Sequence, residues 1–228
     1  MRVDEDGHHA GIRFDEKGSP MKTKDREKIF NTALKSVRKE AGLQTKMGYY
    51  FKKYKEYFIV VQPGLNGLHT AEYKTFCKPY FVDDVFWTVF GTEENRQEPM
   101  SLRATGAYTI RPYRVQTTEI RYEDPETLER EAKRALIEQT QHAEAFVDRF
   151  SSVDAWIQYT KEHPQPVYDA ALVEMLRLVQ LGNCARAKAI AQTELAAGRT
   201  GSFGTFVGDR TKSIYESIVD YCRQRERE

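Results

Sequence analysis

The spacing of apolar side chains changes near residue 124, and this change predicts where strands give way to helices. Residues 45–62 are rich in aromatic and β-branched side chains, a composition typical of strands. Beyond residue 124, apolar side chains recur three and four residues apart, which forms one helix face: Leu128, Ala132, Ala135 and Leu136. The sequence therefore predicts an α+β fold, in which an N-terminal helix and an antiparallel sheet precede a C-terminal helical array.

The first half divides into a polar tail, one helix and several strands. Residues 1–20 are predicted to be the tail, with a short edge strand at residues 11–14, and residues 21–41 an amphipathic helix that ends at Gly42. Predicted strands cover residues 45–62, with a hairpin turn in residues 52–56, and then residues 69–79, 84–91 and 105–115. Short connections favour an antiparallel meander. Pro112 would give the last strand an edge position or a bulge.

The second half has the start and stop signals of helices. Asp124 is a predicted N-cap and Pro125 a first helical residue, opening a helix of about 25 residues. Further helices are predicted at residues 151–162, 166–181, 183–197 and 209–223, with a glycine-rich loop at residues 199–208. We therefore predict three segments: a tail (1–20), a lobe of helix and sheet (21–120) and a helical lobe (121–228).

Charge and cysteine usage indicate a protein of the cytoplasm. The 35 basic and 34 acidic residues leave a net charge of +1, which argues against a protein that binds nucleic acid through bulk charge. The three cysteines are far apart and form no C-x-x-C pair, so reduced thiols are expected. Residues 1–20 lack the apolar core of a signal peptide, and no apolar run reaches the length of a membrane span. We expect no membrane association.

No residue set has the spacing of a catalytic, cofactor-binding or metal-binding site. Asp83 and Asp84 are predicted to be turn residues, because neighbours on a strand would point to opposite faces. The loop at residues 201–208 lacks the pattern of a phosphate-binding loop. Cys77 and His69 could form a nucleophile and base pair. No cofactor or metal is predicted, and an enzyme with an unrecognised cleft stays an alternative.

The basic residues cluster early in the chain. Residues 21–57 contain 11 Lys or Arg against four Asp or Glu, and within the hairpin lysines alternate with aromatic side chains. This pattern suits phosphate contact and base stacking, an acidic protein partner, or a sheet with a solvated lysine face. The candidate partner-binding residues are Tyr49, Tyr50, Lys52, Lys53, Tyr54, Lys55 and Tyr57.

The same hairpin resembles a known family. Residues 45–53 read TKMGYYFKK and residues 57–63 read YFIVVQP. With the helix before them, these runs resemble a bacterial domain-of-unknown-function family that recurs near toxin–immunity and defence genes. The resemblance covers about a third of the chain, and Gln62 matches the family's polar position loosely. It implies an α+β fold and a binding role such as that of an immunity protein.

Together these observations predict a non-catalytic cytoplasmic binding protein with a protein partner. A nucleic-acid-binding protein that uses the basic aromatic hairpin is the first alternative, and an enzyme the second.

Overall fold

The computed structural model describes residues 21–227. The described part contains eight α-helices, seven strands and one 3₁₀ helix. In chain order the elements are α1 (Thr23–Val37), β1 (Gln44–Lys46), β2 (Tyr49–Tyr54), β3 (Tyr57–Leu65), β4 (Thr70–Pro79), α2 (Phe81–Phe90), the 3₁₀ helix (Glu93–Gln97), α3 (Leu102–Thr105), β5 (Tyr113–Arg121), α4 (Pro125–Val147), α5 (Val153–Glu162), α6 (Ala170–Gln180), α7 (Cys184–Ala196), β6 (Gly204–Val207), β7 (Arg210–Ser213) and α8 (Ile214–Arg225). The predicted α+β class is confirmed.

Strands β1 to β5 form one antiparallel sheet in sequence order. The connection between β2 and β3 is a two-residue turn, in which Lys55 has a φ of 51°. A bulge between Thr75 and Phe76 shifts the register of β4 against β5. The sheet is therefore the predicted meander, and side chains alternate between its two faces along each strand.

Helices α1 and α4 cover one face of the sheet. Phe30 and Leu34 of α1 pack with Tyr73 of β4 and Leu128 of α4, and all four are buried. The Tyr73 hydroxyl donates to the Ala132 carbonyl at 3.1 Å, which satisfies a polar group inside this layer. Helix α4 thus belongs to the core of the sheet, although its sequence lies beyond residue 120.

A second buried cluster joins the sheet to the C-terminal helices. Trp156 of α5 contacts Tyr57 of β3 and Tyr113 of β5, with ring centroids 6.0 and 6.2 Å apart. Phe86 of α2 and Ile218 of α8 belong to the same cluster. The buried core therefore continues across the boundary predicted at residues 120 and 121.

The strand predicted at residues 84–91 is wrong, because this segment lies in helix α2. Its aromatic and β-branched residues have the composition of a strand. The segment is a helix nevertheless, because burial of these side chains in the core outweighs their weak helix propensity. Asp83 and Asp84 occupy the first turn, where the helix dipole favours acidic groups. Gly91 ends the helix with a φ of 75°. Asp83 and Asp84 are therefore helical residues, not turn residues.

Two further boundaries differ from the prediction. The strand expected at residues 105–115 is β5 at Tyr113–Arg121, directly after Pro112, which has no N–H to donate to a sheet. The end of the glycine-rich loop instead forms β6, which pairs with β7 in residues predicted to begin the last helix. This hairpin delays the last helix to Ile214, where Ser213 and Glu216 form a capping box. The tail and the edge strand expected at residues 11–14 lie outside the described residues.

Candidate interaction surface

Strand alternation divides the predicted binding residues between the two faces of the sheet. Tyr50, Lys52 and Tyr54 lie on the face that α1 and α4 cover, whereas Tyr49 and Lys53 lie on the opposite face. Tyr50 is 2% exposed and Tyr57 is 5% exposed, so both belong to the core. The seven residues therefore do not form one surface.

Three of these residues hold the hairpin against α4. The Lys52 ammonium donates to the Ala41 carbonyl at 3.0 Å and forms an ion pair with Glu144. The Tyr54 hydroxyl and the Lys55 ammonium both donate to the Asp148 carboxylate, at 3.0 and 2.6 Å. The hydrogen bond from Lys55 lowers the pKa of Asp148. These polar groups are already engaged within the chain.

Tyr49 and Lys53 border a half-open region on the opposite face. Beneath it lies a small buried cluster of three side chains: Phe51, Phe58 and Val60. Five partly buried apolar side chains surround this cluster: Tyr49, Phe76, Tyr80, Met100 and Ala104. We call the region formed by Tyr49, Lys53, Phe76, Tyr80 and Met100 the sheet patch. Helices α1 and α4 pack on the other face, whereas α3 and the loop after α2 cover part of this one.

A buried ion network supports one side of the sheet patch. Lys78 and Asp83 are fully buried, and the Lys78 ammonium contacts the Asp83 carboxylate at 2.8 Å. The ammonium also donates to the carbonyls of Arg103 and Ile110, at 3.0 and 2.8 Å. All three of its protons therefore have acceptors. Burial lowers the pKa of Lys78, and Asp83 opposes this effect. The network fixes the loop between α2 and β5 onto the sheet.

Arg103 extends this network to the surface. Its guanidinium donates to the Tyr80 carbonyl at 3.0 Å and to Asp84 at 2.6 Å, and it lies 3.4 Å from Asp83. Asp83 and Asp84 thus converge on one cation, which a strand could not allow. Two cations lie over the Tyr80 ring, Arg103 at 4.0 Å and Lys53 at 4.5 Å from its centroid. Both contacts restrain the orientation of this aromatic side chain.

Cys77 and His69 are not brought together, so this hypothetical catalytic pair is wrong. Cys77 lies near the end of β4 and His69 just before its beginning, which separates them by about 25 Å at the rise of a strand. Cys77 is fully buried, and burial raises the pKa of its thiol to about 12. The ring of His69 lies against Tyr122 instead.

A polar cleft of about 270 Å³ lies beside Gly201 and is lined by Asp169, Glu194, Arg199 and Tyr215, among others. Arg199 is paired with Glu194 at 2.8 Å, and the Tyr215 hydroxyl donates to Asp169 at 2.8 Å. Two carboxylates with engaged donors would repel an anion. The glycine-rich segment therefore has no built phosphate site here.

Neither the described residues nor comparison with known proteins indicates a metal site, a membrane span or a relative. Across residues 21–227, no group of three or more His, Cys, Asp or Glu side chains is arranged to hold a metal ion. Within that same part of the chain, no helix is both long enough and apolar enough to cross a membrane. The chain matches no protein-family model, no curated protein and no solved structure.

Three members of the sheet patch were missed by reasoning from the sequence. Phe76 faces the patch because β4 pairs it with Val60 of β3. Tyr80 and Met100 reach it through the turn into α2 and the loop after α2. A period-two reading of β4 could have placed Phe76 and Lys78 on one face. No local signal in the sequence identifies Met100.

Proposed function

We propose that the protein is a non-catalytic binding protein that contacts a protein partner through the sheet patch. The observation that carries this proposal is a group of partly buried, mostly aromatic side chains that surrounds Phe51, Phe58 and Val60, on the sheet face opposite α1 and α4. Aromatic side chains and Met are enriched in the cores of protein interfaces. The restrained Tyr80 ring would lose little conformational freedom on binding.

Cations around the sheet patch favour an acidic partner. Lys46 lies opposite Tyr49 in the β1–β2 pairing, and Lys53 lies two residues beyond Phe51. Neither ammonium has an ion pair with any described carboxylate, although Lys53 stacks on Tyr80. An apolar centre with a basic rim suits a partner that carries an apolar residue flanked by Asp or Glu.

Site-specific photo-crosslinking in the cells that express the protein tests this proposal. A photo-reactive phenylalanine analogue at position 49 should give an adduct with a protein, whereas the same analogue at Lys28 on α1 should not. The Lys53→Glu variant should reduce the adduct at position 49 at least fivefold, because it reverses the charge of the rim. Equal adducts from both positions, or an adduct insensitive to Lys53→Glu, would contradict the proposal.

A specific row of lysines supports nucleic acid as a second candidate ligand. Lys24, Lys28 and Lys35 lie within about 40° of one another around α1 and are exposed. None of them has an ion pair with a described carboxylate. On the adjacent α4, by contrast, Lys133 and Arg134 are paired with glutamates of the same helix. Phosphate groups are the ligands that such unpaired lysines would attract.

Salt dependence distinguishes this second candidate. Three phosphate contacts predict a slope of about −3 for log K against log salt on a duplex. Lys28→Glu should reduce the magnitude of that slope by about 1, and Lys53→Glu should leave the slope unchanged. A slope near zero in the native protein would exclude the lysine row as a phosphate site.

A role in bacterial defence is a further proposal, supported by the residue pattern of the hairpin alone.

A further inference from the structure

Two of the three cysteines lie on a pair of helices that pack closely against each other. Ala187 and Ala191 of α7 are fully buried, and so is Cys222 of α8. These small side chains on α7 let the two helix backbones approach closely. Cys184 is half-buried and packs against the same cluster. The cysteines therefore belong to one helix–helix contact, although 37 residues separate them in the sequence.

The two helices run antiparallel, which brings their cysteine-bearing ends together. The cleft beside Gly201 is lined by Glu194 near the end of α7 and by Tyr215 at the start of α8. From there α8 returns along α7, so its last turn lies beside the first turns of α7. An ion pair between Lys188 and Glu226 marks this end of the contact. Cys184 is the first residue of α7, and Cys222 lies in the last turn of α8.

The two thiols differ in their exposure to solvent. Burial raises the pKa of Cys222 to about 12, and a hydrogen bond with Cys184 adds to this increase. The antiparallel packing of α7 and α8 independently places both cysteines at the same end of this helix contact. Cys184 is the thiol that solvent can reach, whereas Cys222 is buried behind it. Cys77 is fully buried in the layer between the sheet and the C-terminal helices, in the same cluster as Trp156.

We propose that Cys184 and Cys222 form a redox-active thiol pair, which a peroxide converts to an intramolecular disulfide. The Cys184 thiolate attacks one oxygen of the peroxide, the O–O bond breaks, and the departing hydroxide takes up a proton to become water. Cys184 is then a sulfenic acid. The Cys222 sulfur attacks the Cys184 sulfur, the S–O bond breaks, and the hydroxide leaves with the proton of Cys222 as a second water. One peroxide is reduced as two thiols are oxidised.

Thiol mapping of the full chain by mass spectrometry tests this pair. Hydrogen peroxide should make the folded protein 2 Da lighter, and digestion should yield one linked peptide pair that contains Cys184 and Cys222. Dithiothreitol should restore the original mass. Cys77 should still react with a maleimide after denaturation, because no thiol lies within reach of it. A disulfide that joins Cys77 to another cysteine would overturn the assignment.

Two single variants separate the roles of the thiols. Cys184→Ser, a change at a half-buried helix start, should abolish the 2 Da loss. Cys222→Ser should leave Cys184 as a sulfenic acid that dimedone traps, with a gain of 138 Da expected from the reagent's chemistry. If native protein accumulates a dimedone adduct on Cys184 as readily as Cys222→Ser does, the second thiol does not resolve the first and the proposal is wrong. Helical circular dichroism before oxidation confirms that each variant is folded.

Discussion

Replacing Lys78 with Met tests the most consequential buried interaction of the fold. The two side chains have similar length, so Lys78→Met keeps most of the packing volume while it removes the charge and three hydrogen bonds. The variant leaves the Asp83 carboxylate buried without its ammonium partner at 2.8 Å. It also leaves two buried carbonyls, of Arg103 and Ile110, without their donor.

The expected cost follows from these contacts. Removing one partner of a buried ion pair typically costs about 3–5 kcal/mol, because the other charge stays desolvated. Asp83 retains a hydrogen bond from the Ile110 amide at 2.9 Å and the more distant Arg103. These remaining donors partly compensate the carboxylate. We therefore expect Lys78→Met to lower the free energy of unfolding by about 4 kcal/mol.

Equilibrium unfolding in urea, followed by tryptophan fluorescence, measures this change. Trp87 is a suitable reporter because its indole donates to the Tyr108 carbonyl of the loop that Lys78 secures. Lys74→Met is the matched control: Lys74 lies on the same strand and the same face, is 40% exposed, and pairs with Glu72. An exposed pair of this kind is worth about 0–1 kcal/mol.

A double variant tests whether the lost free energy of unfolding comes from the interaction between Lys78 and Asp83. Asp83→Asn alone should cost a similar amount, because it leaves the Lys78 charge buried. If the energy resides in their interaction, the double variant should lose clearly less than the sum of the two single losses. A loss below about 1 kcal/mol for Lys78→Met, or strictly additive losses, would refute the argument that the pair is desolvated and coupled.

Three further changes have defined outcomes. Gln139→Leu should cost about 1–3 kcal/mol in urea unfolding, because the buried Thr75 hydroxyl loses its acceptor at 3.0 Å. Asp148→Ala should cost less than about 1 kcal/mol, since Asp148 is exposed, but should speed hydrogen exchange at the turn that contains Lys55. Burial raises the pKa of Cys77 from 9.0 to about 12, so the unfolded chain loses this proton first. The stability of native protein relative to Cys77→Ala should therefore be constant below pH 9 and fall between pH 9 and 12, as urea midpoints would show.

Local signals in the sequence predicted the elements whose ends are set by local chemistry. Helix α4 begins after Asp124, whose carboxylate accepts from the Thr127 amide at 2.8 Å, as its cap position predicts. The β2–β3 hairpin turns within the predicted segment. In both cases neighbouring residues along the chain supply the decisive hydrogen bonds, so these element ends can be predicted from the local sequence alone.

Helix α2 could not be predicted in the same way. Its residues have strand composition, and the group that neutralises Asp83 is Lys78, which precedes the helix and reaches it only because β4 ends beside it. The candidate site had the same difficulty. Adjacent hairpin residues read as one basic aromatic surface, but a period of two sends Tyr49 and Tyr50 to opposite faces.

The buried ion network and the sheet patch are physically linked, and this link yields a joint prediction. Lys78 holds the carbonyl of Arg103, and Arg103 in turn restrains the Tyr80 ring and the loop that carries Met100. Loosening that loop would disorder one side of the patch without changing any residue of it. Lys78→Met should therefore increase hydrogen exchange across residues 99–112 and weaken the photo-adduct at Tyr49, while Lys74→Met should do neither. Faster exchange with an unchanged adduct would mean that the partner contacts β2 alone.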